Sequence, residues 1–261
     1  MSKDWLVKNN LSNLQKISLA GLFIALDVIL QKVVAINYLP FAPFLRISVG
    51  GPALIIFGSF LLGPIYGLFI GAASDLVGYF IFDPKTMGFF PQITAIYALL
   101  GFSAYFVFML IRLIKSKKLM AIIEYCSFAL LYAASVTFIW LKDEITLYTS
   151  TYTIVLWQKI TVTCVLFVLL AILVVCLYFT NKFFKKREDP RIIMNPYQVS
   201  FACFILEIFV MIMFGTLMKG FAFGFQTYLV ILITQIMVGF INVPLNTFLI
   251  SYLMYLTKRF Y

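Results

Sequence analysis

The chain has 261 residues, 63% of them hydrophobic and only 11% charged, with a formal net charge of +10 and a mean hydropathy of +1.03. A soluble domain carries roughly 45–50% apolar and about 25% charged residues, so this excess marks a polytopic membrane protein and excludes a large soluble domain. His is absent, which removes His-based acid/base chemistry, Ser/His and Cys/His nucleophile pairs and His-bearing zinc sites.

Taken in chain order, the polar stretch up to Lys16 precedes a first apolar run at 17–34. No small-x-small cleavage site follows it, so a retained helix is expected rather than a signal peptide. The loop INYLPFAPFLR (36–46) leads to a second run at 52–63, which spans only about 18 Å against a hydrocarbon core of about 30 Å. Gly63-Pro64 turns the chain into a third run at 65–82, closed by FDPKTMGFFP. Further runs lie at 91–112, 121–141, 155–181, 199–217 and 226–257, the last containing Pro244, where a kink is expected. The reading is an all-α bundle of eight helices.

The charges orient it. With the N-terminus inside, only Lys32, Arg46, Lys85, Lys142, Lys159 and Lys219 of the 20 basic residues lie in or near outer loops. Both termini are therefore expected in the cytoplasm, and the positive charge needs no nucleic acid. The segment GTLMKG (215–220) runs into Phe221 and lacks the Gly-Lys-Ser/Thr order of a phosphate loop. Any ATP coupling must come from another chain. Cys126, Cys164, Cys176 and Cys203 fall in apolar runs without CxxC spacing and read as small core hydrophobes. No cofactor and no metal site is expected.

Charges inside the membrane are costly and are functional candidates. Asp27, Lys32, Asp75 and Glu207 are the principal ones, with Glu124 and Lys159 nearer helix ends. Gly63, Gly67 and Gly71 recur every four residues and Asp75 extends the series. Small residues at that spacing admit a second helix closely, so Asp75 is expected on the packed stripe, about 15 Å up its helix. It either binds a ligand or is a buried carboxylate bonded to a neighbouring helix. On the first helix, Gly21 and Ala25 form a small-xxx-small pair, and Asp27 lies about 200° round from Ala25. If that pair meets a partner, Asp27 points into the bundle. The aromatic, Gly/Pro-rich outer loops INYLPFAPFLR, FDPKTMGFFPQ and MKGFAFGFQ suit either interfacial anchoring or a lidded pocket for a planar heteroaromatic ligand.

The stretch LRISVGGPALIIFGSFLLGPIYGLFIGAASDLVGYFIF, followed by FFPQITAIYALLGF, resembles the substrate-binding S component of energy-coupling factor (ECF) transporters, most closely the folate-specific group. AGLFIALDVILQK is similar to that family's docking helix, and INVPLNTFLISYL looks like its last helix. The resemblance implies one membrane domain over 1–261, with an S-component-like core of six helices at 17–115 and 199–257 and an inserted helical hairpin at 116–195. It implies a bacterial plasma-membrane subunit that captures folate, or a related pterin, from outside. Its implied partners are a membrane coupling protein, reached through Gly21 and Ala25, and two ABC-type ATPases. Under that resemblance Lys32 and Arg46 meet the glutamate carboxylates, Asp75 accepts from the pterin amino group, and Tyr79 and Phe90 stack. Gln92 and Gln235 are further polar candidates. Riboflavin, pantothenate or a queuosine precursor are alternative cargoes. An intramembrane enzyme using Asp75 and Glu207 as an acid/base pair, or a scaffold, is an alternative of another class.

Overall fold

The computed structural model describes residues 11–32, 51–82, 89–114, 116–147, 150–185, 194–225 and 228–257. In order these form α1 (Asn13–Lys32), α2 (Gly51–Leu62), α3 (Pro64–Phe82), α4 (Pro91–Ile111), α5 (Lys117–Leu141), the strands β1 (Glu144–Leu147) and β2 (Ser150–Thr153), and α6 (Leu156–Lys185). Then follow α7 (Pro196–Leu206), a π-helical segment (Glu207–Phe214), α8 (Gly215–Phe223) and α9 (Tyr228–Leu256). The stretch from α7 through α8 runs without a break. The described residues thus make eight helical rods, seven of them long and apolar enough to cross a membrane.

The exception is α2. Every one of its 12 residues is buried, because α1, α3, α4 and α9 pack around it. A helix enclosed by protein need not match the bilayer thickness, which is why about 18 Å suffices. Its end is fixed by Gly63, whose φ of 104° suits a residue without Cβ; the Gly63 amide donates to Ser59 O (2.9 Å). Gly63 therefore serves the turn, and a Cβ there would meet nothing within 4 Å. This corrects the four-residue stripe, which begins at Gly67.

From Gly67 onward the stripe packs as expected. A Cβ on Gly67 would strike Gly101 O of α4 and Ser59 Oγ (2.6 Å), one on Gly71 would strike Tyr97 O, and one on Gly101 would strike Gly67 O. The α3 and α4 backbones are in direct contact, the arrangement that small residues permit where lipid supplies no hydrophobic drive for helix association. Beneath them Phe60 packs on Phe108 (ring centroids 5.2 Å) and Phe57 on Phe23 (5.8 Å).

The second half is built differently. The helices α5 and α6 pack on α7 and α9, and Phe128 bridges to Phe204 (5.0 Å) and Phe240 (5.7 Å). Pro196 opens α7 behind a capping box of Asn195 and Gln198, and Gln198 Nε2 donates to Ile114 O (3.2 Å). At the opposite end β1 and β2 pair antiparallel, Glu144 with Thr153 and Leu147 with Ser150. Lys159 clamps the base of this hairpin, donating to Asp143 Oδ1 (2.8 Å) and Trp140 O (3.4 Å).

Two expectations change here. The segment MKGFAFGFQ is not an outer loop, since its first six residues, to Phe223, lie in α8 and Gly224 ends the helix at φ 94°. Pro244, where a kink is expected, lies inside α9 and lacks the hydrogen bond to the Phe240 carbonyl. Of the four free cysteines only Cys203 is buried; Cys126, Cys164 and Cys176 are exposed on the apolar outside of the bundle. In a membrane protein an apolar run marks contact with lipid as readily as with core.

Candidate functional site

One set of buried polar groups lies at the ends of α1, α3 and α4 away from the Gly63 turn. Asp27 (0% exposed) and Asp75 (8%) are brought within electrostatic reach of each other. Gln31, one turn above Asp27, donates from Nε2 to Asp27 Oδ2 (2.7 Å). Thr94, in the first turn of α4, donates from Oγ1 to Asp75 Oδ2 (2.6 Å). Ser74 faces Asp27 from α3, yet Ser74 Oγ and Asp27 Oδ1 make no hydrogen bond among the described residues. Among the described residues it is Asp27 Oδ1 and Ser74 Oγ that are left needing a donor or a proton.

Glycines make room for this group. A Cβ on Gly51 would collide with the Gln31 side chain, and one on Gly78 would stand 2.6 Å from Lys32 Cε. The polar end of α1 therefore wedges into gaps on α2 and α3. Above it Tyr79 packs on Phe89 (5.3 Å) and Phe80 (5.5 Å), and Phe80 stacks on Phe89 (6.3 Å). Phe90 is the half-buried N-cap residue of α4, and Gln92 carries a buried Oε1 without a partner among the described residues.

Lys32, Asp75, Tyr79, Phe90 and Gln92 thus share one end of the bundle. Arg46 lies outside the described residues. Gln235 belongs to a separate group: it is buried on α9, whose next turns carry Gly239 and Asn242 against Glu207 of the π segment. Asp75 and Glu207, candidates for an acid/base pair, fall in these two different groups. Asp27 points into the bundle as expected, in company that its own helix shows only in part. Asp27 with Gln31 at i+4 was a usable signal, whereas Ser74 and Thr94 join only through tertiary packing. Lys219, expected in or near an outer loop, is helical.

The reverse face of α1 is bare. Leu14, Ile17, Gly21, Leu22, Ala25, Leu26 and Ile29 are exposed, and a Cβ on Gly21 would meet nothing within 4 Å. Among the described residues no group of three or more Cys, Asp or Glu could hold a metal ion.

Comparison with known families returns a match over residues 15–179, well over half of the chain, to the family described as ECF transporter, substrate-specific component. No curated protein and no solved structure matches the chain.

Proposed function

Because the chain belongs to the substrate-specific components of ECF transporters, we propose that it captures folate or a related pterin from outside the cell. It is a multi-pass membrane subunit that binds a small molecule for an importer. The observation that carries the pterin reading is the buried pair Asp27/Asp75, one turn of α3 before Tyr79, whose ring packs on Phe89. A flat heterocycle edged with N–H donors matches that combination, since carboxylates accept and aromatic faces stack.

In this reading Asp75 takes the pterin amino group, and Tyr79 and Phe90 hold the ring. Lys32 and Arg46 meet the glutamate tail, and Gln92 and Gln235 add polar contacts. The bare face of α1, with Gly21 and Ala25, docks on the membrane coupling protein, whose two ATPases supply the energy. The family resemblance implies that the subunit then topples in the membrane, opening the site inward. Both termini face the cytoplasm. Helices α5 and α6 form a hairpin added to a six-helix core, a reading supported by their packing on α7 and α9.

Calorimetry on the purified chain tests this directly. Folate should bind, and Arg46→Ala should weaken folate more than a pterin without the glutamate tail. A protein that ignores folate and retains an uncharged vitamin through purification would replace the pterin reading with another cargo.

A further inference from the structure

A second set of buried polar groups lies where the π segment meets α9. Glu207 opens that segment eleven residues after Pro196, hence about 16 Å along the rod, near the middle of a hydrocarbon core of about 30 Å. It is 3% exposed, and its side chain rests on the α9 backbone: a Cβ on Gly239 would stand 3.2 Å from Glu207 Cγ and 3.4 Å from Oε1. Asn242 and Asn246 follow Gly239 on the same side of α9, and both are 2% exposed. Asn242 stands beside the Glu207 carboxylate. Yet Glu207 Oε1, Asn242 Oδ1 and Asn246 Oδ1 have no hydrogen-bond partner among the described residues. Acceptors left in this state are costly in an apolar interior.

The backbone departs from α-helical bonding at the same level. Residues Glu207–Phe214 form the π segment, and Pro244 offers no N–H to the Phe240 carbonyl. Turns of π helix recur at functional sites, and interrupted helices at the membrane midplane supply oxygen ligands to ions. A proton satisfies at most two of the three oxygens, by turning one acceptor into a donor. The Lys219 ammonium acts on Glu207 only through space, with no ion pair between them among the described residues. A metal cation can bond to all three. One carboxylate balances one positive charge, whereas Ca2+ sites collect several carboxylates, a set that is absent among the described residues.

We propose that Glu207, Asn242 and Asn246 form a sodium site between the π segment and α9, with Glu207 Oε1 and the two amide oxygens as ligands. The Phe240 carbonyl, next to Gly239 in the chain, is a fourth oxygen for it. The close seat of Glu207 on Gly239 suits a small ion. Bound there, sodium ties the irregular stretch of one rod to the proline-bearing stretch of the other. The site stands on these oxygens and does not depend on which vitamin the chain carries.

The test uses the purified full chain in detergent, without vitamin, in NaCl, KCl or choline chloride at equal ionic strength. NaCl should raise the Tm saturably, by about 3–6 °C at roughly ten times the half-saturating concentration, and choline chloride should not. Glu207→Gln should abolish the sodium-dependent rise and Asn246→Ala should weaken it. Glu124→Gln, a change at a buried carboxylate of α5 bonded to Ser200, should leave it intact. Binding of radiolabelled sodium to the wild type gives a readout independent of how the variants fold. It should saturate, and unlabelled Na+ should displace the label at least about tenfold better than K+. Absence of saturable binding, equal displacement by K+, or a full sodium response in Glu207→Gln would overturn the assignment. So would a rise in Tm on acidification that sodium does not reproduce, which would make Glu207 a proton site instead.

Discussion

The two halves of the bundle solve the same problem with opposite means. Helices α3 and α4 approach until backbones touch, with Gly67 and Gly71 against Gly101 and Tyr97, and together with α1 and α9 they enclose α2 completely. The α5–α6 arm leans on the bundle with bulky side chains and leaves Trp140, Trp157, Phe167 and Phe179 exposed. Its specific ties are few: the Ser200 hydroxyl to Glu124 (2.6 Å), Trp140 Nε1 to Thr163 (3.3 Å), and Lys159 to Asp143. Close backbone contact fixes one geometry, because no rotamer change can relieve a collision with a carbonyl oxygen. A bulky apolar surface fixes only depth in the bilayer. The polar site at Asp27 and Asp75 lies in the half whose geometry is fixed, where positioning of two carboxylates is most reproducible.

The contrast can be broken most severely at Gly71. Gly71→Leu drives a side chain into the Tyr97 carbonyl, and overpacking of this kind costs roughly 1–3 kcal/mol or more; we expect loss of a monodisperse peak in size-exclusion chromatography. A comparable change in the arm, Leu130→Ala at an exposed site, should leave the peak intact. If both variants behave alike, the two halves do not differ in rigidity.

Gly21 offers the inverse result. Gly21→Leu meets no neighbour within 4 Å and replaces a poor helix former, so thermal stability should hold or rise by up to about 1 kcal/mol. Co-purification with the coupling protein should nevertheless be lost, because bulk on a small-xxx-small face separates helices. Normal assembly of this variant would move the docking surface elsewhere.

At Asp75 the expected effect is smaller and confined to binding. Asp75→Asn keeps the shape and removes the charge proposed to meet the pterin amino group. A charge-assisted bond contributes about 1.5–3 kcal/mol, so folate affinity should fall roughly 10- to 200-fold. Unchanged affinity by calorimetry would leave Asp75 as a helix-packing residue.

The smallest effect belongs to the hairpin base. Hydrogen bonding and charge from Lys159 hold the Asp143 carboxyl below the usual carboxylate range. A depressed carboxylate contributes above its unfolded pKa of about 3.9 and loses that contribution as pH falls through the lower folded value. Hydrogen exchange should therefore show β1 and β2 protected at neutral pH and loosened only in strong acid. In Asp143→Asn the loosening should be present at every pH. Identical protection in both proteins would show that strand pairing suffices.

Much of this was legible because hydropathy reports span length directly. Eight helices, the inward Asp27 and the α3 stripe all follow from apolar runs and four-residue spacing. What escaped did so for physical reasons. Gly63 fits the stripe's period but belongs to a turn, a distinction that only φ makes. The Gly- and Phe-rich segment after Met218 has loop composition, yet rods on either side carry it as helix. The π segment has no sequence signature of its own. In lipid, burial leaves no polar–apolar contrast, so nothing distinguished Cys203 in the core from Cys126, Cys164 and Cys176 outside it.

One helix belongs to both surfaces. The bare face of α1 carries Gly21 and Ala25, and two residues past Ala25 the opposite face carries Asp27, which meets Gln31 and Ser74. A partner that shifts α1 along α3 cannot avoid moving the Asp27 carboxylate relative to Asp75. Thermodynamic reciprocity then applies: by whatever factor docking weakens or strengthens the hold on the ligand, the ligand weakens or strengthens docking by the same factor. An empty and a loaded subunit would in that way compete unequally for the same coupling protein.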